Sequence, residues 1–406
     1  MAAAIKNHNP RKGTETILSI EPFGFEVCIK NHNPRKGTET LGNPPYIHKQ
    51  SASKLKITIP ARGRNSIFLY ERRMSMSYVY LTEENVKLQK KGGRYLVGRN
   101  LEVVMEIPEE TLEGLVLIGR IQVSAEAMVS LLEQGIPVTW LSHTGKYYGR
   151  LTPTTHVDVF RQQKQVQLQK SPFFLALAKK SIEAKVHNQL TVLRRYNKRA
   201  TNPSIDLAIK NILAVRRHIM TSDNGEQLMG FEGIIAKTYF SALAKLMPEG
   251  FEFEKRTKRP PLDPFNSMLS FGYTLLMYEF YTAIENMGLS PYFGYLHALK
   301  NHHPALASDL MEEWRAVIVD SMVLGLISHN EIKPEHFYSK EGKPGIYLNR
   351  EGRVIFLRAF EKRLRQENKY IDLDMTIRRS IQHQVGDFSQ AMMAENIDMY
   401  KPIRLR

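Results

Sequence analysis

Hydrophobic and polar positions alternate in short runs between residues 67 and 151, then switch to a helical period for the remainder of the chain. Tyr78-Val79-Tyr80-Leu81 and Val86-Lys87-Leu88 precede a Lys91-Gly92-Gly93 turn, and Tyr95-Leu96-Val97 follows it, which predicts a hairpin. Residues 101–107 and 115–123 predict further strands. A short helix is expected after Ser124, its N-cap, and Gly135 and Pro137 stop it. Strands at 138–141 and 147–151 close a small β-rich domain, and the Pro153 region reads as a linker. Past Asp158 strand signals nearly vanish. One or two long helices are expected over 161–199, and others around 204–220, 226–247, 264–287 and 305–328. The expected fold class is α+β, a small N-terminal β-domain (63–152) followed by a large all-α domain (153–406).

The first 62 residues do not share this patterning. Residues 5–16, IKNHNPRKGTET, recur unchanged at 29–40, an offset of 24 residues. That period is too short and too polar for a stacked repeat with a buried face. Gly, Pro and Lys with little apolar periodicity predict disorder. The twelve residues between the blocks are unrelated to them, so identical blocks separated by unique sequence read as translated repeat DNA rather than a functional domain. A tandem basic peptide that contacts DNA is the competing reading.

Composition narrows the function. Lys and Arg outnumber Asp and Glu by 57 to 41, a formal net charge of +16, which favours a polyanionic partner through counterion release. The single cysteine, Cys28, excludes an intramolecular disulfide and a cysteine-built zinc site, and fits a reducing cytoplasm. No apolar run is long enough for a spanning helix, and the start of the chain has no secretory h-region, so no membrane partner is expected.

Three residues stand where their chemistry is costly. The helix at 226–247 has an apolar stripe through Ala236, Tyr239, Leu243 and Leu246, and Glu232 lies on it one turn earlier. Asp309 and Glu312, three apart, share a face that Ala316, Val319 and Val323 continue, and two acids on a buried helix repel unless a cation intervenes. His297 sits just upstream, after a Gly288/Pro291 break. A buried structural ion pair would also explain Glu232, and a core position would also explain His297. Taken together, two acids and an imidazole form an oxygen and nitrogen ligand set suited to Mg²⁺ or Mn²⁺, which can serve phosphodiester chemistry.

These residues lie in segments that resemble the CRISPR-associated protein one family, the catalytic subunit of spacer acquisition. The matching stretches are GFEGIIAKTYF at 230–240, KRPPLDPFNSMLSFGYTLL at 258–276, GLSPYFGYLHALKNHHPALASDLMEEWR at 288–315 and VDSMVLGLI at 319–327. LEGLVLIGRIQVSAEAM and GIPVTWLSHTGKYYGRL match more loosely in the β-domain. The resemblance implies a metal-dependent DNA endonuclease and integrase, with Glu232, His297 and Glu312 as metal ligands and Asp309 as a supporting acid. It implies that the 3′-hydroxyl of captured double-stranded DNA attacks a phosphodiester at a repeat boundary. It further implies dimerisation through the β-domain and a partner, CRISPR-associated protein two. Lys185, Asn188, Gln189, Lys255, Arg256, Lys258, Arg259 and Tyr273 are expected DNA contacts, although packing or solvated charge would also explain them. No role is assigned to His302 or His303. Two other functions fit the same residues: a stand-alone branched-DNA repair nuclease, and a non-catalytic DNA-binding scaffold. Acids kept on buried faces count against the scaffold.

Overall fold

The computed structural model describes residues 16–20, 25–29, 77–100, 102–153 and 156–405, and the chain divides into two units, Met1–Arg64 and Asn65–Arg406. In the first unit, β1 (Thr16–Ile20) and β2 (Phe25–Ile29), which run from the end of the first repeated block to the start of the second, pair antiparallel. The rest of the segment expected to be a disordered tail lies outside the described residues.

The second unit begins with the β-domain. Its strands are β3 (Ser77–Leu81), β4 (Lys87–Lys91), β5 (Arg94–Arg99), β6 (Glu102–Pro108), β7 (Leu112–Ile118), β8 (Gln122–Val123), β9 (Val138–Leu141) and β10 (Tyr147–Leu151), with helix α1 (Ala125–Glu133) between β8 and β9. They form two four-stranded sheets, ordered β10-β9-β7-β3 and β6-β5-β4-β8. The expected hairpin is β4–β5, turned by Gly92 at φ 56°. Ser124 caps α1 as expected, its Oγ accepting from the Ala127 amide. Alternation along β3 joins this domain to the next. Val79 and Leu81 enter the core between the sheets, while Tyr78 and Tyr80 face the helical core.

The helical domain opens with α2 (Val159–Gln167) and α3 (Pro172–Ala200), then α4 (Pro203–Arg216), α5 (Gly225–Ala244) and α6 (Pro264–Asn286). Ser171-Pro172 divides the expected 161–199 segment into two, because Pro is tolerated only in a first helical turn and Ser171 caps the new one. Asn202-Pro203 and Asp263-Pro264 start α4 and α6 in the same way. The 305–328 segment is one run of four pieces: α7 (Ala305–Leu310), α8 (Glu312–Trp314), a π-helical segment (Arg315–Asp320) and α9 (Ser321–Ser328). Two antiparallel hairpins then alternate with helices: β11 (Phe337–Lys340) with β12 (Lys343–Leu348), α10 (Arg350–Arg365), β13 (Glu367–Tyr370) with β14 (Leu373–Thr376), and α11 (Ile377–Ala394). The domain is therefore helical with two inserted hairpins, which short and largely polar runs such as ENKY did not disclose in the sequence.

At the boundary between β-domain and helical domain lies a buried ion cluster. Arg378 on α11 donates to Glu279 on α6 from Nε (3.0 Å) and Nη2 (2.9 Å), and to Glu361 on α10 from Nη1 (3.0 Å) and Nη2 (2.9 Å). Its guanidinium carbon lies 3.9 Å from the ring centre of Tyr78 on β3. Among the described residues, no helix is long and apolar enough to cross a membrane.

Candidate active site

The middle of α3 is buried although its C-terminal end is charged, and Lys185 lies on that buried stretch. An ammonium is held there only by compensating charge. Two carboxylates provide it. Lys185 Nζ donates to Glu232 Oε1 on α5 and lies 2.8 Å from Glu312 Oε2 on α8. Burial alone would lower the lysine, but Glu312 and Glu232 hold it above its ordinary value. Arg315, one turn beyond Glu312, approaches the other oxygen of that carboxylate at 2.9 Å. Burial alone would raise Glu312, but Arg315, Lys185 and His297 outweigh it and hold the carboxyl down to about 2.

His297 arrives from the loop between α6 and α7. Asp309, fully buried, organises that loop: Oδ2 accepts from the amides of Tyr295 (2.6 Å) and Leu296 (2.9 Å), and Oδ1 from the amide of His297 (3.1 Å). The same Oδ1 takes His297 Nδ1 at 2.5 Å, which leaves Nε2 facing Glu312 Oε1 at 3.9 Å. Burial would lower the imidazole, but the Asp309 bond and the charges of Asp309 and Glu312 raise it above its ordinary value. Gly294 is required for this wrap, because a Cβ there would run into the Asp309 carboxylate and stand 2.8 Å from the Ala305 carbonyl carbon.

Glu232, His297, Asp309 and Glu312 thus come together from four elements, but not as a ready ligand set. Among the described residues no group of three or more His, Cys, Asp or Glu side chains is arranged to hold a metal. The Lys185 ammonium stands between Glu232 and Glu312. The donor set nevertheless fits a divalent cation. Glu312 Oε2 is buried with no aligned hydrogen bond despite the nearby ammonium, and carboxylates plus an imidazole with a carboxylate on its other nitrogen are suitable ligands. Glu232, Glu312 and His297 Nε2 would hold the ion, and Asp309 would orient the imidazole.

The other expected residues divide. Lys255, Lys258 and Arg259 are exposed on the loop before α6. Arg256 is folded inward onto Asn266 (2.9 Å) and Ser270 (3.1 Å). Tyr273 lies beneath Arg256 and Arg315, whose guanidinium carbons are 5.5 and 5.0 Å from its ring centre. Its hydroxyl donates to Asp320 at 2.5 Å, and Tyr239 donates to the other Asp320 oxygen at 2.9 Å. The π-helical segment therefore runs between two anchors, Arg315 on the acid site and Asp320 on this tyrosine pair, and such widened turns are frequent at functional sites.

Asn188 corrects the expectation of a DNA contact. It is fully buried, its amide donating to the Glu313 carbonyl (2.8 Å) and the Ile403 carbonyl (3.0 Å) while its oxygen accepts from the Leu405 amide (2.8 Å). Gln189 is buried as well, which leaves its side chain no open face toward DNA. Sequence reasoning missed the chain end as a structural strap. Glu313 takes Ser181 (2.9 Å), Tyr400 (2.7 Å), Gln384 (2.9 Å) and the Ile403 amide (2.9 Å). His303, left without a role, stands edge-on to His297 with ring centres 5.9 Å apart.

The family model described as CRISPR associated protein Cas1 matches residues 79–362. The chain is 37% identical over 291 residues to CRISPR-associated endonuclease Cas1 3 of Thermus thermophilus, covering 71% of this chain and 85% of that protein. It is 33% identical over 300 residues to CRISPR-associated endonuclease Cas1 of Mycobacterium tuberculosis, covering 74% and 88%. Among solved structures, a chain of a Cas6-RT-Cas1–Cas2 complex superposes with TM-score 0.72 at 25% identity, covering 83% of this chain and 37% of that longer one. A Cas1 protein from Thermotoga maritima shares the fold with TM-score 0.68 at 24% identity, covering 78% and 97%.

Proposed function

The chain belongs to the CRISPR-associated protein Cas1 family, and from that premise we propose that it is a DNA endonuclease and integrase of CRISPR adaptation whose chemistry depends on a divalent metal. The observation that carries the reading is the meeting of Glu232, Glu312 and the free nitrogen of His297 around one cation-demanding space. Mg²⁺ or Mn²⁺ bound there would supply a Lewis acid that neutralises charge on a phosphoryl group.

The chain's own residues do the rest. Asp309 holds His297 by Nδ1, so in the neutral ring the lone pair is on Nε2, turned toward Glu312. Arg315 pairs with Glu312 Oε1, the oxygen that His297 Nε2 also faces. Lys255, Lys258 and Arg259 offer exposed cations to the DNA backbone beside α6, and the net charge of +16 adds a salt-sensitive, sequence-independent attraction. In the reaction the 3′-hydroxyl oxygen of a captured double-stranded fragment bonds to phosphorus at a repeat boundary. The P–O bond to the cut strand's 3′ oxygen breaks, and that oxygen leaves as a hydroxyl once protonated. Hydrolysis uses the same site with water as the nucleophile. Homodimerisation through the β-domain, a Cas2 partner as in the complex that this fold matches, and a cytoplasmic location complete the proposal.

The test is joining by Glu232→Ala and Glu312→Ala proteins. Both lose joining while DNA binding, which rests on the basic surface, is largely kept. Joining that survives either change would refute the ligand assignment. A product that forms without a free 3′-hydroxyl on the incoming DNA would point to a repair nuclease instead.

A further inference from the structure

The cation already in the site is part of the chain. Lys185 reaches from α3 to Glu232 on α5 and to Glu312 on α8, and so bridges two of the three groups that would bind the metal. Its fit is incomplete, since Glu312 Oε2 is within ion-pair distance of the ammonium yet has no aligned hydrogen bond. A lysine head is a point charge on a flexible four-carbon stem, able to leave a carboxylate without moving the backbone. The site also has an open side: the Glu232 and His297 side chains remain 17% and 27% exposed, against 3% for Glu312. Arg315 lies 2.9 Å from the other Glu312 oxygen, Oε1, which Lys185 does not touch.

We propose that Lys185 is a resident cation: it holds Glu232 and Glu312 together before metal arrives and is displaced from between them when a divalent ion binds. Without it two partly desolvated carboxylates would face each other and separate. With it they stay near the positions the ion needs, and the ion must then compete with an ammonium. Lys185 is a positioning residue in this account. The idea rests on the metal-dependent reading above and adds to it the metal-free state of the same site.

Competition has a sign that separates it from simple structural support. A state in which the site is already filled lowers apparent affinity by the fraction of molecules ready to bind. Removing the ammonium takes away the competitor, and the divalent ion itself then draws the two acids back together, so metal binding tightens, whereas loss of a merely structural lysine would weaken it. Mn²⁺ titration of the full chain, read by the electron paramagnetic resonance signal of the free ion, makes the comparison. Lys185→Met is expected to bind Mn²⁺ about tenfold more tightly than the unaltered protein. Its metal-free melting temperature should fall and Mn²⁺ should restore it. Glu232→Gln is expected to bind more weakly. If Lys185→Met binds no more tightly while Glu232→Gln binds more weakly, the resident cation is refuted and the metal site stands. If Glu232→Gln leaves Mn²⁺ binding unchanged, the metal reading itself is refuted. Should Lys185→Met fail to fold, amine acetylation of the unaltered protein decides. Lys185 is expected to be protected without Mg²⁺ and labelled several-fold faster with it, and unchanged labelling overturns the displacement.

Discussion

Among the described residues, two places join a pair of carboxylates through one cation, and they do so differently. At the domain boundary, Arg378 binds Glu279 and Glu361 through four hydrogen bonds of 2.9–3.0 Å, and Arg365 (2.7 Å) gives Glu361 another. The planar guanidinium matches two carboxylates at once, and little is left unsatisfied. At the candidate active site Lys185 meets Glu232 and Glu312 as a point charge, one acid oxygen has no aligned donor, and an imidazole waits 3.9 Å away. The first arrangement is closed and ties β3, α6, α10 and α11 together. The second is open to exchange. The contrast separates a structural ion cluster from a functional one by hydrogen-bond completeness, since both are buried and both carry two acids.

The largest expected effect falls on the closed cluster. Arg378→Ala leaves two buried carboxylates without a counterion and should destabilise the protein by about 3–5 kcal/mol in denaturant unfolding. A loss under about 1 kcal/mol would place this cluster with exposed pairs and remove the contrast. Next comes the orientation of His297. Asp309→Asn keeps the size of the side chain but weakens the hold on Nδ1, and should lower Mn²⁺ affinity by about 10–100-fold in direct titration. Equal affinity would mean that the imidazole is held by packing alone. A smaller effect, about 1 kcal/mol, is expected for Tyr273→Phe, which removes one of the two hydroxyls on Asp320.

Asp320 also carries a pH signal. Burial pushes its carboxyl from 3.8 up to about 6, against the two tyrosine bonds. The folded protein therefore holds this proton more tightly than the unfolded chain. Its contribution is complete below the ordinary carboxylate value and is lost as pH rises toward and through about 6. In Asp320→Asn the matching slope of stability against pH over that interval should flatten, and an unchanged slope would assign it to other groups.

Much of the functional site was legible because buried charge interrupts a simple pattern. Glu232 and Glu312 each put a carboxylate on an apolar helix face, and Asp309 was bound to share a side with Glu312 from their spacing of three. Gly288 and Pro291 marked the loop that carries His297. Lys185 was visible as a cation but not as a partner of the acids. Helix α3 carries Lys179, Lys180, Arg194, Arg195, Lys198 and Arg199 besides, and only burial by α5 and α8 sets one of them apart. Asn188 misled for a related reason: its segment resembles the family and is basic, and nothing in the sequence shows that residues 403–405 fold over it. The π-helical segment was hidden as well, because Val317-Ile318-Val319 is apolar in any helical register.

Anomalous scattering from crystals grown with Mn²⁺ tests the central claim most directly. The account predicts one strong peak between Glu232, Glu312 and His297 Nε2, with the Lys185 ammonium moved out of that space. Crystals in which the ammonium still bridges the two carboxylates at saturating Mn²⁺, with no peak beside them, would contradict it.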